Sequence, residues 1–272
     1  MHGDSVIADA PILQIRNLRL EFHDHGHPEV AVEDLSLTLH RGEILGVVGE
    51  SGSGKSMTAL AIAGLLNRHA LDCGGEILFD GVDLLHCGRS TLRHYQGDEI
   101  SMIFQEPMTS LAPLQRIGMQ VEEALRIHHK ELSAAERKEA AIRAMGAAGL
   151  AEPEQVYGMY PHELSGGMRQ RVMIAAATVS RPQILIADEP TTALDVTTQA
   201  QIIALLRQIN AEDGTAIVFI SHDLSLVRQL CHRVIVMRRG VAVEMGTSDE
   251  VFLNPRHAYT QSLVDAIPKV VL

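Results

Sequence analysis

One string constrains this chain more than any other: Gly49-Glu50-Ser51-Gly52-Ser53-Gly54-Lys55-Ser56, which fits the pattern G-x-x-x-x-G-K-[ST]. Glycine tolerates positive φ and close approach, so backbone N–H groups in such a loop can curl around phosphate oxygens. The flanking sequence agrees with that reading. Ile44-Leu45-Gly46-Val47-Val48 is a continuous apolar run followed by glycine, as expected of a strand buried on both faces of a parallel sheet. Met57 to Leu66 is compatible with a helix, and a helix opening near Lys55 aims its partial positive end at a bound phosphate. Lys55 would reach the β- and γ-phosphates of ATP, and Ser56 would offer a hydroxyl to Mg²⁺. The expected nucleotide contacts are Gly49, Glu50, Ser51, Gly52, Ser53, Gly54, Lys55 and Ser56, together with Thr58. A chance glycine-rich turn could match the letters, but it has no need of a strand before it and a helix after it.

Two later apolar runs, Ile184 to Ala187 and Ala216 to Ile220, also end in polar residues, so chemistry gathers where strands stop. After the first run come Asp188 and Glu189. The first carboxylate is suited to the Mg²⁺ shell and the second to orienting or deprotonating a water. By itself the pair reads equally well as a solvated cap on the next segment; beside a phosphate loop, the catalytic reading is favoured.

Near-alternating apolar residues over Ile12 to Phe22 and Val30 to Leu39 predict antiparallel strands, and Asp80-Gly81 predicts a tight turn. From about Pro107 to Ser180 the spacing becomes helical. Pro255 to Ile267 puts Tyr259, Leu263 and Ile267 on one helical face, as in a docked C-terminal helix. No internal repeat is visible. With 272 residues, 46% apolar and 21% charged, the chain is expected to be one catalytic unit with an insertion. Its formal charge of -11 argues against a nucleic-acid partner. Cys73, Cys87 and Cys231 are too scattered for a disulfide framework, and no window reaches about eighteen apolar residues, so neither export nor membrane insertion is expected.

Leu164-Ser165-Gly166-Gly167-Met168-Arg169-Gln170-Arg171 resembles the signature of ATP-binding cassette (ABC) proteins. A plain reading is a serine N-cap on an amphipathic helix. The resemblance implies more: Ser165, Gly166 and Gly167 would meet the γ-phosphate of a nucleotide held by another subunit. It also implies that Gln105 contacts Mg²⁺ and water, that Thr192-Ala193-Leu194-Asp195 crosses the dimer interface with Asp195 near the nucleotide, and that His222 contacts the γ-phosphate. The catalytic set so implied is Glu189, His222 and Gln105, with Ser56, Gln105 and Asp188 around the metal.

The implied fold is α/β, a P-loop NTPase cassette with a mainly parallel core sheet, an antiparallel β subdomain and an inserted helical subdomain. Residues 12–106 and 181–253 would form the core, 107–180 the helical insertion, and 254–272 the C-terminal helix. The strings GESGSGKS, Gln105 to Leu111 and Asp188 to Asp195 look like the peptide/nickel importer branch. That branch implies ATP and Mg²⁺ as cofactors and a second ATPase subunit, so that the pair is a heterodimer. It further implies two transmembrane permease subunits, an extracytoplasmic substrate-binding protein, and a peripheral position on the cytoplasmic face of the inner membrane. Rival readings are a soluble ABC-type ATPase of DNA repair or translation, and a P-loop kinase.

The sequence departs from the family pattern in places. Ala112 stands where an asparagine is expected, which should alter a loop without abolishing catalysis. The chain stops at Leu272, short of the cysteine-rich tail of longer relatives, so no iron–sulfur cluster is expected. Only Phe22 and several histidines stand where an adenine-stacking ring is usual. His23, His25 and His27 read more simply as a polar turn than as a metal site, and His128-His129 as exposed residues at a helix end.

Overall fold

The computed structural model describes residues 10–24, 27–67, 70–106, 110–192 and 194–267. The side chains of His23, His25 and His27 lie outside this description, as do 107–109, Ala193 and the chain end from Pro268.

In chain order the strands are β1 Leu13–Asp24, β2 His27–Leu39, β3 Ile44–Val48, β4 Leu71–Phe79, β5 Val82–Asp83, β6 Ile100–Ile103, β7 Ile184–Asp188, β8 Ala216–Ile220, β9 Arg233–Arg238 and β10 Val241–Thr247. They form one ten-stranded sheet in the order β5-β4-β1-β2-β10-β9-β3-β8-β7-β6. The stretch from β9 to β6 is parallel throughout, whereas β1 pairs antiparallel with both β2 and β4. The expected division into a mainly parallel core and an antiparallel arm is therefore present. At Asp80-Gly81, which joins β4 to β5, both residues take positive φ, 47° and 81°, the geometry a two-residue hairpin turn needs.

The central strands show no polar/apolar alternation because both of their faces are covered. Ile44 and Val48 of β3 enter one hydrophobic core while Leu45 and Val47 enter another, and β7 and β8 divide their side chains in the same way. The remaining position of β3 is Gly46, where a Cβ would lie 2.7 Å from Val227 Cγ1 and 3.0 Å from Cys231 Sγ. The bare backbone there admits the helix Leu224–Leu230 and the cysteine that follows it.

The described helices are α1 Lys55–Ile62, α2 Arg89–Tyr95, α3 Ile117–Val121, α4 Glu123–His128, α5 Ala134–Ala147, α6 Pro153–Gly158, α7 Gly166–Thr178, α8 Val196–Asp213, α9 Leu224–Leu230, α10 Ser248–Leu253 and α11 Ala258–Asp265. Helices α3 to α7 all fall between β6 and β7 in the chain, and α3, α5 and α7 pack on one another. Ser133 opens α5 with a reciprocal capping box to Glu136. Helix α1 stops at Ile62 rather than running to Leu66, because Gly64 turns to φ 69° and its missing Cβ leaves room for Leu92. Around Ala112 the loop keeps its shape through Gln120, whose amide accepts from Ala112 N–H at 2.8 Å and donates to its carbonyl at 3.0 Å.

The histidines at the end of α4 depart from expectation. His128 and His129 are half-buried rather than exposed, and His129 Nε2 lies 2.9 Å from Asp98 Oδ1. The hydrogen bond to Asp98 holds the imidazole above its ordinary value of 6.5, against a smaller opposing effect of burial. A raised folded-state pKa contributes stability that is fully present below pH 6.5 and lost as the pH climbs through the folded-state value. The difference in unfolding free energy between wild type and His129→Gln should therefore be greatest below pH 6.5 and shrink above it, as urea titrations across that range would record.

Candidate functional site

The phosphate loop leaves β3 and enters α1 with Gly49, Gly52 and Gly54 at φ 151°, 77° and 99°. At Gly49 the requirement is also spatial, since a Cβ would sit 2.1 Å from the Met237 carbonyl oxygen. Lys55 is buried, and its Nζ donates to the carbonyls of Gly49 and Glu50 at 2.8 Å each and lies 3.4 Å from Ser53 Oγ. Desolvation pulls its pKa down, while Glu189, Asp188 and Glu50 pull it back up. Thr58 is buried and donates its hydroxyl to the Gly54 carbonyl at 3.0 Å, which ties α1 to the loop exit.

Because β6, β7 and β8 are parallel neighbours, their carboxyl ends share one edge of the sheet beside this loop. Asp188, the last residue of β7, is 5% exposed and accepts from Ser56 Oγ at 3.2 Å. Burial pushes its carboxyl above the usual range, and the Ser56 bond and Lys55 charge work the other way. Glu189 takes φ 46°, a left-handed conformation rare outside glycine, and its N–H donates to the Ile220 carbonyl at 2.9 Å. This sharp turn sends its carboxylate toward the flanking strand ends. One oxygen, Glu189 Oε2, is met by Gln105 Nε2 at 2.9 Å, Thr192 Oγ1 at 2.9 Å and His222 Nδ1 at 3.3 Å.

Ser56 and Asp188 are hard oxygen donors brought within 3.2 Å of each other. The pair fits Mg²⁺ in type, and the glycine cradle fits a polyphosphate. The signature residues lie elsewhere. Ser165 caps α7 by accepting from Met168 N–H, and both Ser165 and Gly166 are exposed. Asp195 caps α8, accepting from the N–H and hydroxyl of Thr198 at 3.0 and 2.7 Å, bonds that hold its carboxyl below the usual range. The two caps are neighbours, since a Cβ on Gly167 would lie 3.6 Å from Thr198 Cγ2. Among the described residues, no hydrogen bond joins Ser165, Gly166, Gly167 or Asp195 to residues 49–56.

Sequence reasoning had no role for two groups that touch this site. One is the Thr192 hydroxyl on Glu189; the other is Tyr259, whose phenol oxygen accepts the Glu50 N–H at 2.9 Å. Thr192 stands in a recognised string, so its position was marked though its bond was not. Tyr259 carried only the signal of an apolar helical face.

Fold and site together define a P-loop nucleoside triphosphatase of the α/β class. The chain belongs to the ABC transporter family, whose model matches residues 32–192, and it is an ATP-binding, ATP-hydrolysing cassette. It is 50% identical over 260 residues to the peptidoglycan transport ATP-binding protein YejF of Agrobacterium fabrum, covering 95% of this chain and 47% of that one. It is 46% identical to the oligopeptide transport ATP-binding protein OppD of Haemophilus influenzae, over 96% of this chain and 80% of the relative. The chain thus spans about half the length of the first relative and four-fifths of the second. Among solved structures, the dimeric cassette MJ0796, in a post-hydrolysis state bound to ADP and Pi, superposes with a TM-score of 0.78. That match has 29% identity and covers 87% of this chain and 98% of the other. These relatives support the peptide importer branch.

Substitution at the cradle separates crowding from conformation. Gly49→Ala meets a backbone carbonyl, whereas Gly52→Ala has nothing within 4 Å and only an unfavourable φ. Gly49→Ala should lose about 1–3 kcal/mol of stability and most nucleotide affinity, and Gly52→Ala about 1–2 kcal/mol, as chemical denaturation and nucleotide titration would read.

Proposed function

We propose that this chain is the ATP-hydrolysing subunit of a bacterial importer for peptides, or for nickel and metal-chelating small molecules, working on the cytoplasmic face of the inner membrane. The observation that carries the reading is the convergence of Gln105, Thr192 and His222 on the Glu189 carboxylate, beside a lysine-filled phosphate loop. Peptide cargo is supported by the names of the relatives. Among the described residues no helix is long and apolar enough to cross a membrane, which fits a role alongside separate permease subunits.

In this reading the amides of 49–56 bind the ATP phosphates, and Lys55 exchanges the Gly49 and Glu50 carbonyls for phosphate oxygens. Ser56, Asp188 and Gln105 would hold Mg²⁺, which would neutralise charge on the phosphate oxygens. Glu189 takes a proton from the attacking water. Its ties to Gln105, Thr192 and His222 set its direction before substrate arrives, and His222 supplies a donor toward the γ-phosphate.

The exposed serine cap at Ser165 and the adjacent Asp195 are oriented for a nucleotide on a second, different ATPase subunit, with the two chains head to tail. We assign 12–106 and 181–253 to the core, 107–180 to the helical subdomain and 254–272 to the C-terminal helix. A groove of about 410 Å³ is lined among others by Leu65, Leu111, Ile127, Met173 and Phe104, the residue before Gln105. It suits an apolar segment of a permease subunit, so that closure of the ATPase pair moves the membrane subunits, which receive cargo from an external binding protein.

Glu189→Gln tests this assignment. In the assembled complex, ATP turnover should fall about 10²- to 10⁴-fold while nucleotide affinity stays near wild type. Normal turnover by the variant would remove Glu189 as the base.

A further inference from the structure

Tyr259 lies 209 residues from Glu50 along the chain, yet its phenol oxygen accepts the Glu50 N–H at 2.9 Å. The side chain is 5% exposed. Its place is fixed from several directions. The Arg238 guanidinium lies 4.7 Å from the ring centroid. The Tyr259 N–H donates to His257 Nδ1 at 3.1 Å, which caps α11. The Glu244 carboxylate on β10 accepts from the N–H groups of Arg256 and His257 at 2.8 and 2.9 Å, anchoring the turn that leads into α11.

Glu50 is therefore gripped on both sides: its N–H by Tyr259 and its carbonyl by Lys55 Nζ at 2.8 Å. The two grips differ in permanence. Lys55 must leave that carbonyl to reach a phosphate, whereas Tyr259 is held by elements outside the loop. We infer that Tyr259 is a positioning residue for the phosphate loop, fixing Glu50 so that the loop keeps its curled shape when Lys55 turns to the nucleotide. This rests on the reading of 49–56 as the ATP cradle. A loop already in its bound shape loses less conformational freedom on binding, so the benefit appears as affinity. Without the phenol oxygen, the Glu50 N–H loses its partner, and once Lys55 has turned away the first turn of the loop rests on the Ser53 N–H bond to the Glu50 carbonyl at 3.2 Å.

Tyr259→Phe, made in the full chain and assayed in the assembled complex, keeps the ring and its Arg238 contact and removes only the hydroxyl, which accepts from the Glu50 N–H and also bonds the Glu50 side chain. Titration with ATP and ADP should show affinity reduced about three- to tenfold, with the KM for ATP raised by a similar factor and kcat within about twofold. Amide hydrogen exchange should accelerate at 50–53 while β3 stays protected. A Tyr259→Phe chain that melts at a lower temperature but keeps wild-type affinity, KM and loop protection overturns the inference, since the hydroxyl would then serve the stability of the fold and not the shape of the loop. Tyr259→Ala adds the loss of the ring, and the Phe variant decides the matter if the Ala variant does not fold. Failure of the wild-type chain to bind nucleotide would instead bring down the cradle itself, so the two failures are distinguishable.

Discussion

The site depends on a buried ammonium group. Lys55 Nζ sits against oxygen atoms of its own loop, in a position that burial makes unfavourable for a cation. Three things make that position tolerable: carbonyls drawn in by the curl of the loop, the carboxylates at the end of β7 and just beyond, and the Glu50 side chain. The glycines earn their places because only their φ values bring those carbonyls inward. A polyphosphate entering the cradle finds a positive charge already desolvated, which strengthens the attraction relative to one in water.

The second requirement is a common edge. Glu189 and its partners come from the ends of β6, β7 and β8, which are separated in sequence but adjacent in the sheet. Parallel pairing puts the same end of each strand on the same side. The left-handed turn at Glu189 then aims one carboxylate across its neighbours, a strained backbone held by the bond to Ile220 and by packing on both faces.

What the sequence made legible follows from this geometry. The phosphate loop, the apolar strands around it and the Asp80-Gly81 turn have determinants that are contiguous in the chain, so local pattern was enough to find them. Gln105 and His222 sit at strand ends, but only a family resemblance linked them to Glu189, because strand order in a sheet is not written in spacing. The Thr192 and Tyr259 contacts were invisible for a related reason: one polar atom on an otherwise ordinary turn or helix leaves no periodic trace. Helix α1 was read too long because the stop is set by Gly64 against Leu92, a tertiary contact. His129 was read as exposed because its partner Asp98 lies outside its own helix. The signature string identified the family, yet within a single chain it reduces to one helix cap facing solvent.

The missing side chain at Gly46 has an outcome beyond close packing. Val227 of α9 and Cys231 just after it rest on bare β3 backbone, and α9 is capped at its start by Asp223, next to His222. That histidine follows β8, which is already tied to β3 by parallel pairing and by the Ser221 N–H on the Val47 carbonyl at 3.4 Å, and the thin backbone at Gly46 lets the helix settle like a spacer in a machined joint without straining that tie. A methyl group added there would act as a shim, pressing on Val227 and Cys231 and so on the arm that starts beside His222.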